Sequence, residues 1–575
     1  LSQNRYLNDN ESSKVVDRIL SEMTPREKLA QLFIVSFSSD TGDINTLKAI
    51  SEIKKERVGG VILMNSPLTP AVNMINYLQS ISKIPLLVTI DGEWGAAMRF
   101  DSIVPFPRQM QLGALSDDSL VYKMGYAIGK QARRVGVDVN FAPTIDINNN
   151  PRNPVINTRS FGENPLLVTK YGVAYMNGMK DAGVPGSAKH FPGHGDTDVD
   201  SHKSLPLISF SKKRIDSLEL MPFRTLIESG VDMIMVGHLQ IPSLDSTGKP
   251  ASISREIIGN LLRRDLEYNG LIVTDALNMK GVSDHYPAEI LPLEAFKAGC
   301  DIILMPEKVS EALNVMERAL QTGEISMHSV NLRCQKILDL KLKLGIVESR
   351  PPVNKENLYR DLNNSDYISL ISVISKESLT LIKNDESFLP YKNLKSEKIG
   401  YLSLGGDANG KELARFLSFY ADIDTLILRG KYKLSHVSAA LNSLSANKSF
   451  IIAMHNTDSR PQRDFGLNEN EIKLLTNFAT KRDVTFVYFG NPLAIPFIKG
   501  LDKFRSVIIA YNNNIFNNIA AGEIILGVSG AQGRLPVTSG SYPLGFGLKS
   551  NGNLRVKYDA VEFAGFNFCS EYDSI

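Results

Sequence analysis

The segment GLIVTDALNM (270–279) decides the fold, because an apolar β-branched run passes there directly into the acidic residue Asp275. An apolar run without alternating polar positions predicts a strand buried on both faces, as in a parallel sheet. Seven similar runs alternate with helical stretches: LAQLFIVSF (29–37), VGGVILMN (58–65), PLLVTIDG (85–92), VDVNFAPTIDI (137–147), GVPGSAKHF (183–191), VDMIMVGHL (231–239) and CDIILMP (300–306). Eight strand–helix units predict an α/β fold, an N-terminal (β/α)8 TIM-type barrel. The alternative, an open doubly wound sheet, normally carries a glycine fingerprint after its first strand, and none is present.

Polar residues stand where these predicted strands end. They are Asp91, Asp146, His190, His238 and Asp275. The carboxyl ends of the strands of a (β/α)8 barrel form the rim at which its active site is built. The sequence therefore predicts an active site at this rim.

A second domain is predicted after the barrel, which closes with a helix over 331–344 that Gly345 caps and Pro351-Pro352 stops. Five further strand candidates follow: KIGYLSLGG (398–406), DTLILRG (424–430), SFIIAMHN (449–456), VTFVYFGNP (484–492) and SVIIAYNN (506–513). They indicate a smaller α/β sandwich. The predicted divisions are 1–347 for the catalytic barrel, 348–385 for a linker, 386–548 for the sandwich, and 549–575 for a tail that could lead into a further domain.

The composition of the chain indicates which partners it does not bind, but it says little about the reaction. The 64 basic and 62 acidic side chains leave a net charge of +2, which gives no electrostatic basis for binding nucleic acid. No apolar run approaches the roughly 20 residues that cross a bilayer, so no membrane-spanning segment is predicted. The chain starts with neither Met nor an apolar signal core. A removed export signal would explain this and predicts an extracytoplasmic protein of the periplasm or cell envelope; a trimmed chain is the alternative.

The loop KHFPGHGDTDVDSH (189–202) is the densest polar segment, with three of the eight histidines. One interpretation is a metal site, since histidine and aspartate at short spacing are ordinary ligands. The other is acid/base chemistry. Asp200 and His202 stand two residues apart, so in an extended loop their side chains point the same way, and a carboxylate can orient the imidazole.

Asp275 interrupts an apolar run at the predicted rim, and burying an acid there is costly unless it faces a cavity or a partner. By itself it could equally cap the next helix. A carboxylate facing a proton donor is, however, the minimum for double-displacement glycoside hydrolysis.

The loop at 189–202 together with TDALNM (274–279) resembles glycoside hydrolase family 3, in its β-N-acetylglucosaminidase branch. The resemblance runs from about residue 15 to about residue 548. Further motifs that carry it are NFAPTIDI (140–147), NTRSFG (157–162), MVGHLQIP (235–242), KLKLGI (341–346), ESLTLIKND (377–385) and GRLPV (533–537).

The resemblance implies a role for each matching position. Asp275 becomes the nucleophile, and His202 the general acid/base that Asp200 orients. The positions implied in substrate binding are Asp91, Arg99, Arg159, Lys189 and His190. Asp91 and Arg99 keep the two ends of the family's D-Q-E-G-G-x-V-x-R motif. The chain reads DGEWGAAMR (91–99) there, so the loop between the two ends differs from the family pattern.

The branch implies a carbohydrate substrate with a terminal N-acetylglucosamine, typically a cell-wall muropeptide fragment, with no cofactor and no metal. Some of its members continue into a β-lactamase-like domain. Three alternatives stay open: a metal-dependent hydrolase that uses the His/Asp loop, a family 3 β-glucosidase or phosphorylase, and a carbohydrate-binding protein without activity.

Overall fold

The computed structural model describes residues 9–200, 204–392, 394, 397–406 and 408–555, and within them the fold is mixed α/β. Cα proximity divides the chain into two units. The first contains the described residues up to Pro105, Tyr122–Asp146 and Gly172–Asn363. The second contains Phe106–Val121, Ile147–Tyr171 and the described residues from Asn364 onward.

The first unit carries eight short strands, which are almost entirely buried because their apolar side chains face neighbours on both sides. They are β1 Phe33–Phe37, β2 Gly60–Leu63, β3 Leu87–Ile90, β4 Val139–Asn140, β5 Ser187–Phe191, β6 Met233–Val236, β7 Leu271–Thr274 and β8 Ile303–Leu304. Each predicted run contains one of them. The strands are shorter than the runs: Leu29 and Ala30, for example, belong to the helix that precedes β1.

All pairings among these strands are parallel. Five strands form a sheet in the order β4-β3-β2-β1-β8, and three form a sheet in the order β5-β6-β7. Isolated bridges join Val273 to Ile302, Asn140 to Gly186, and Thr144 to Lys189. The run predicted over 137–147 pairs regularly only at Val139 and Asn140. Pro143 lacks an N–H for a continuing ladder.

Helices alternate with the strands along the chain up to residue 362. They are α1 Asp9–Glu22, α2 Pro25–Ala30, α3 Ile44–Lys55, α4 Leu68–Ser80, α5 Gln109–Leu112, α6 Asp118–Arg134, α7 Pro165–Asp181, α8 Lys212–Ser217, α9 Leu220–Glu228, α10 Lys280–Ser283, α11 Leu291–Ala298, α12 Val309–Gln321, α13 Met327–Lys343 and α14 Leu358–Leu362. A π-helix, Glu256–Asp265, lies between β6 and β7. The predicted cap of α13 is confirmed, because Gly345 has φ +73° just past its end.

The second unit contains a six-stranded sheet in the order β11-β10-β12-β13-β14-β9. Its strands are β9 Thr380–Asn384, β10 Ile399–Leu404, β11 Ile423–Leu428, β12 Ser449–Met454, β13 Asp483–Tyr488 and β14 Ser506–Ile509, and its further helices are α15 Ser365–Ser378, α16 Ala408–Ser418, α17 Leu434–Ser443, α18 Glu469–Ala479 and α19 Ile515–Leu526. All neighbours are parallel except β9, which pairs antiparallel with β14. The helices α16 and α19 share an apolar core with one face, and α17 and α18 with the other.

The segment predicted as a linker over 348–385 contains α14, α15 and the edge strand β9. Among the described residues, no helix combines the length and the apolar character needed to cross a membrane.

Candidate active site

Polar side chains stand at the strand ends of the first unit, as predicted from the sequence. Asp91 directly follows β3, His190 is the last residue but one of β5, His238 comes two residues after β6, and Asp275 directly follows β7. Asp146, predicted at the same rim, lies in the loop beyond the end of β4. These positions lie at the carboxyl ends of parallel strands. In α/β proteins the backbone there leaves the sheet and side chains can converge on a ligand.

Lys189 is the centre of an ion cluster between the ends of β3 and β5. Its Nζ lies 2.9 Å from Oδ1 of Asp91 and 2.9 Å from Oε1 of Glu93, and 2 % of its side chain is exposed. Arg99 Nη2 lies 3.0 Å from Oδ2 of Asp91. Burial raises the pKa of Asp91, but the charges of Lys189 and Arg99 outweigh burial and hold that pKa below its ordinary value. Asp91 is therefore an ionised acceptor at neutral pH.

The loop between Asp91 and Arg99 is held at its start by two buried side chains. Asn140 Oδ1 accepts a hydrogen bond from the backbone N–H of Gly92 at 2.8 Å, and Asn140 Nδ2 donates to the Gly92 carbonyl at 3.1 Å. Tyr175 Oη donates to the carbonyl of Glu93 at 2.9 Å. A Cβ atom at position 92 would stand 3.2 Å from Asn140 Oδ1, so the glycine suits this close approach. Trp94, in the same loop, is half-buried.

Asp146 organises the backbone around His190. One of its oxygens accepts from His190 Nδ1 at 2.7 Å, and the other accepts from the backbone N–H of His194 at 2.7 Å. A β-bulge in the pairing of β5 with β6 falls at His190, which reorients this residue relative to a regular strand. Burial raises the pKa of Asp146, but His190 and the hydrogen bonds outweigh it, so the pKa is lowered. A buried, ionised carboxylate thus fixes the start of the 189–202 loop.

His194 is buried beside His190, with the two rings edge to face and their centroids 5.7 Å apart. Burial and, less strongly, the neighbouring His190 lower the pKa of His194 to about 4, although Asp146 and Asp275 act in the opposite direction. Its Nδ1 lies 2.9 Å from Oγ1 of Thr197. The imidazole of His194 is therefore neutral at physiological pH.

This histidine predicts how stability depends on pH. In the unfolded chain His194 takes up a proton near pH 6.5, and in the folded protein only near pH 4. The contribution of its neutral ring to the free energy of unfolding is therefore complete above pH 6.5 and is lost as the pH falls toward 4. The loss amounts to about 3 kcal/mol. We expect His194→Gln to reduce the fall in melting temperature between about pH 7 and about pH 4.5. The exposed His436 offers the control His436→Gln, which should keep the original slope. Equal slopes for His194→Gln and the unsubstituted protein would contradict the assignment.

Asp275 is half-buried at the end of β7. Its backbone N–H donates to the Val236 carbonyl at 2.9 Å, and its Oδ1 accepts from the backbone N–H of Ala276 at 2.8 Å. His238 supports the same turn, because its Nε2 lies 2.9 Å from the Ala276 carbonyl and its Nδ1 lies 2.7 Å from Ser252 Oγ. The contact at Nε2 requires that atom to be the donor. The backbone of Asp275 is thus anchored to β6, and its carboxylate is oriented by the N–H of Ala276.

The comparisons with known proteins fit this arrangement. The model of the glycosyl hydrolase family 3 N-terminal domain matches residues 24–340, more than half of the chain. The chain belongs to glycoside hydrolase family 3. β-Hexosaminidase A of Pseudoalteromonas piscicida is 30 % identical over 545 residues, covering 84 % of this chain and 90 % of the relative. The family membership and this relative identify the chain as a glycoside hydrolase.

Two further relatives of this family 3 enzyme carry related names. The β-N-acetylglucosaminidase/β-glucosidase of Cellulomonas fimi is 29 % identical over 392 residues, which cover 66 % of this chain and 68 % of the relative. A solved family 3 β-N-acetylglucosaminidase from a Paenibacillus species superposes with a TM-score of 0.76 at 28 % identity, covering 90 % of this chain and 99 % of that one.

Three predicted residues of the enzyme stand apart from the contacts described above. Asp200 is half-buried, and its carbonyl accepts from the backbone N–H of Ser204 at 3.1 Å. His202 lies outside the described residues. Arg159 is half-buried in the second unit, at the end of a short 3-10 helix, Asn157–Arg159. Their catalytic and binding roles therefore stay predictions.

Glu93 is the residue that sequence reasoning missed, whereas Asp146 was predicted at the rim but without a role. Glu93 is buried against Lys189, and Asp146 holds His190. An acid two residues after Asp91, inside an apolar and glycine-rich loop, was a usable signal for Glu93. Among the described residues, no group of three or more His, Cys, Asp or Glu side chains has a metal-binding arrangement.

Proposed function

We propose that the enzyme is a retaining exo-β-N-acetylglucosaminidase that releases terminal N-acetylglucosamine by double displacement. The observation that carries the proposal is the carboxylate of Asp275 at the carboxyl end of β7, whose charge acts on His194 in the loop that leads to His202. The proposal thereby assigns the nucleophile to the end of β7 and the proton donor to the loop after β5, two strands of the same three-stranded sheet.

We propose that the enzyme folds into a complete (β/α)8 barrel followed by a smaller α/β sandwich. The bridges from Val273 to Ile302 and from Thr144 to Lys189 support closure, because they connect the five-stranded and three-stranded sheets at both of their edges. The six-stranded sheet between Thr380 and Ile509, with helices on both faces, supports the sandwich. The proposed divisions are 1–347 for the barrel, 348–385 for the linker, whose last strand β9 joins the edge of the sandwich sheet, 386–548 for the rest of the sandwich, and 549–575 for the tail.

In the proposed mechanism Asp275 attacks the anomeric carbon and forms a glycosyl ester, while His202 gives its proton to the departing glycosidic oxygen. Water then loses a proton to His202 and attacks the same carbon, so the carboxylate leaves and the β-configuration is retained. Asp200 holds the imidazole in the orientation that both steps need.

The sugar hydroxyls and the acetamido group are assigned to Asp91, Arg99, Arg159, Lys189 and His190. The ionised Asp91 is an acceptor for a hydroxyl, and the cationic Lys189 and Arg99 hold it in a fixed position. The names of the C. fimi and Paenibacillus relatives support N-acetylglucosaminide as the substrate, and the β-hexosaminidase name of the P. piscicida relative is consistent with it. We extend the proposal to muropeptide fragments of the cell wall and to an extracytoplasmic location.

A substrate panel tests the function. We expect the p-nitrophenyl β-N-acetylglucosaminide to be cleaved faster than the matching glucoside, xyloside or galactosaminide, and the first sugar product by NMR to be the β-anomer. Activity should survive EDTA. Its loss on chelation would support the metal-dependent alternative, release of sugar 1-phosphate with added phosphate would indicate a phosphorylase, and a faster glucoside reaction would overturn the N-acetyl preference.

The role of His202 has its own prediction. We expect His202→Ala to slow a substrate with a poor alkyl or sugar leaving group by about 10²–10⁴-fold, because that group needs a proton. A dinitrophenyl leaving group departs without one, so its cleavage should fall much less. Steady-state kinetics on both substrates checks this. Equal losses on the two would remove His202 from the acid role.

A further inference from the structure

The segment that carries Arg159 follows β4 in the chain, yet residues Ile147–Tyr171 cluster with the six-stranded sheet of the second unit. Within that unit the segment contacts two loops, one after β12 and one after β13. These contain Ser459 and Asn491 respectively. In open α/β sheets the carboxyl ends of the strands are where ligands bind. Here part of that edge binds the enzyme's own Arg159 segment.

The contacts converge on Asn157, two residues before Arg159. Asn157 Nδ2 donates to the Ser459 carbonyl at 2.5 Å, and its Oδ1 accepts from Nδ2 of Asn491. Asn491 Nδ2 also lies 3.0 Å from the Ser459 carbonyl, and both asparagines are buried. Asn157 has φ +40°, a conformation that asparagine tolerates better than most residues. The three groups therefore fix where the 3-10 helix begins.

The segment is anchored on the far side of Arg159 as well. The backbone N–H of Glu163 donates to the Pro536 carbonyl at 3.1 Å, and Thr538 Oγ1 donates to Glu163 Oε1 at 2.5 Å. A Cβ atom on Gly162 would stand 2.3 Å from the Pro536 carbonyl, so only glycine fits this approach. The motifs NTRSFG (157–162) and GRLPV (533–537), far apart in sequence, thus pack against each other.

We propose that Asn491 is a positioning residue for substrate binding, acting through Asn157 to hold Arg159 in place. The inference rests on the proposed role of Arg159 in binding the sugar. Buried amide-to-carbonyl hydrogen bonds fix a backbone at low entropy cost, and a displaced binding group weakens affinity steeply. Asn491 thereby supports the proposed sugar contact of Arg159 through hydrogen bonds within the second unit.

The test is a kinetic double-mutant cycle on the full chain with p-nitrophenyl β-N-acetylglucosaminide. We expect Asn491→Ala to raise KM about tenfold while kcat changes little, because the lost interaction is binding alone. In an enzyme that already carries Arg159→Ala, Asn491→Ala should change KM by no more than about twofold. Asn157→Gly tolerates the positive φ and removes the same contact, so it should reproduce the KM effect if Asn491→Ala folds poorly.

Asn447→Ala is the matched control. Asn447 is also buried in the second unit, and its Nδ2 donates to two acceptors, the Leu444 carbonyl and Asp424 Oδ2. It precedes β12, however, and so lies at the amino ends of the strands, not at their carboxyl ends. Its KM should stay unchanged. Additive effects of Asn491→Ala and Arg159→Ala, or an unchanged KM in Asn491→Ala and Asn157→Gly, would overturn the inference. An Arg159→Ala variant with normal KM would instead refute the proposed role of Arg159 and the inference with it, while hydrolysis itself would stand.

Discussion

We expect Asp275→Asn to reduce turnover of an N-acetylglucosaminide by at least about 10⁴-fold, the scale typical of losing a covalent nucleophile. Asparagine has the shape of the aspartate, and its amide oxygen can still accept from the Ala276 N–H. It has no anionic oxygen to form the glycosyl ester. The loss should therefore appear in kcat, with the fold and the affinity for substrate retained. A stopped chromogenic assay with long incubation measures this range.

A rescue experiment distinguishes a nucleophile from a structural acid. In Asp275→Gly, azide can enter the space of the missing carboxylate and attack the anomeric carbon of an activated substrate, which yields the α-glycosyl azide. Identification of that product by NMR would assign both the nucleophile and the retaining mechanism. Asp284→Asn, at an acid just past α10, is the control and should keep full activity. Substantial turnover by Asp275→Asn without azide would exclude the mechanism.

The sequence locates the strands of the first unit well, because buried parallel strands are continuous apolar runs. The sequence fails at the amino-terminal end of β1, because the apolar residues of α2 run into this strand without a change in residue type. It also misses β9, Thr380–Asn384. That strand is defined by its antiparallel pairing with β14, and such a long-range partner leaves no local pattern.

Some residues of the candidate site can likewise be predicted from the sequence, and others cannot. The residues directly after strands, Asp91 and Asp275, are predictable because strand ends can be read from the sequence. Glu93 and Asp146 act through contacts with Lys189 and His190 that only folding creates. The membership of Arg159 in the second unit is likewise invisible to the sequence, because the segment 147–171 lies between predicted barrel strands.

The ion cluster around Lys189 leads to the second large effect. Lys189 is nearly inaccessible and lies between the carboxylates of Asp91 and Glu93. Replacing it with methionine keeps the volume and removes the charge, which leaves buried carboxylates without a cation that had compensated their desolvation. We expect Lys189→Met to destabilise the fold by about 3 kcal/mol, at the lower end for a broken buried pair because Arg99 still contacts Asp91. Urea denaturation measures the change, and Lys180→Met, at an exposed lysine of α7, should leave the midpoint unchanged.

A second substitution separates the structural part of this effect from the functional part. Adding Glu93→Gln removes the charge of the fully buried carboxylate and leaves that of the half-buried Asp91, so Lys189→Met/Glu93→Gln should recover part of the lost stability. It should not recover activity, because Asp91 keeps only Arg99 and still lacks Lys189, the stronger of the two cations that lower its pKa and the one that holds its second oxygen. If the double variant regained both stability and a normal KM, the ion cluster would have only a structural role and Lys189 would not belong to the binding site. If it regained stability alone, the charge of Lys189 would serve substrate binding, and the stability lost with it would be a consequence of burying that charge at the rim.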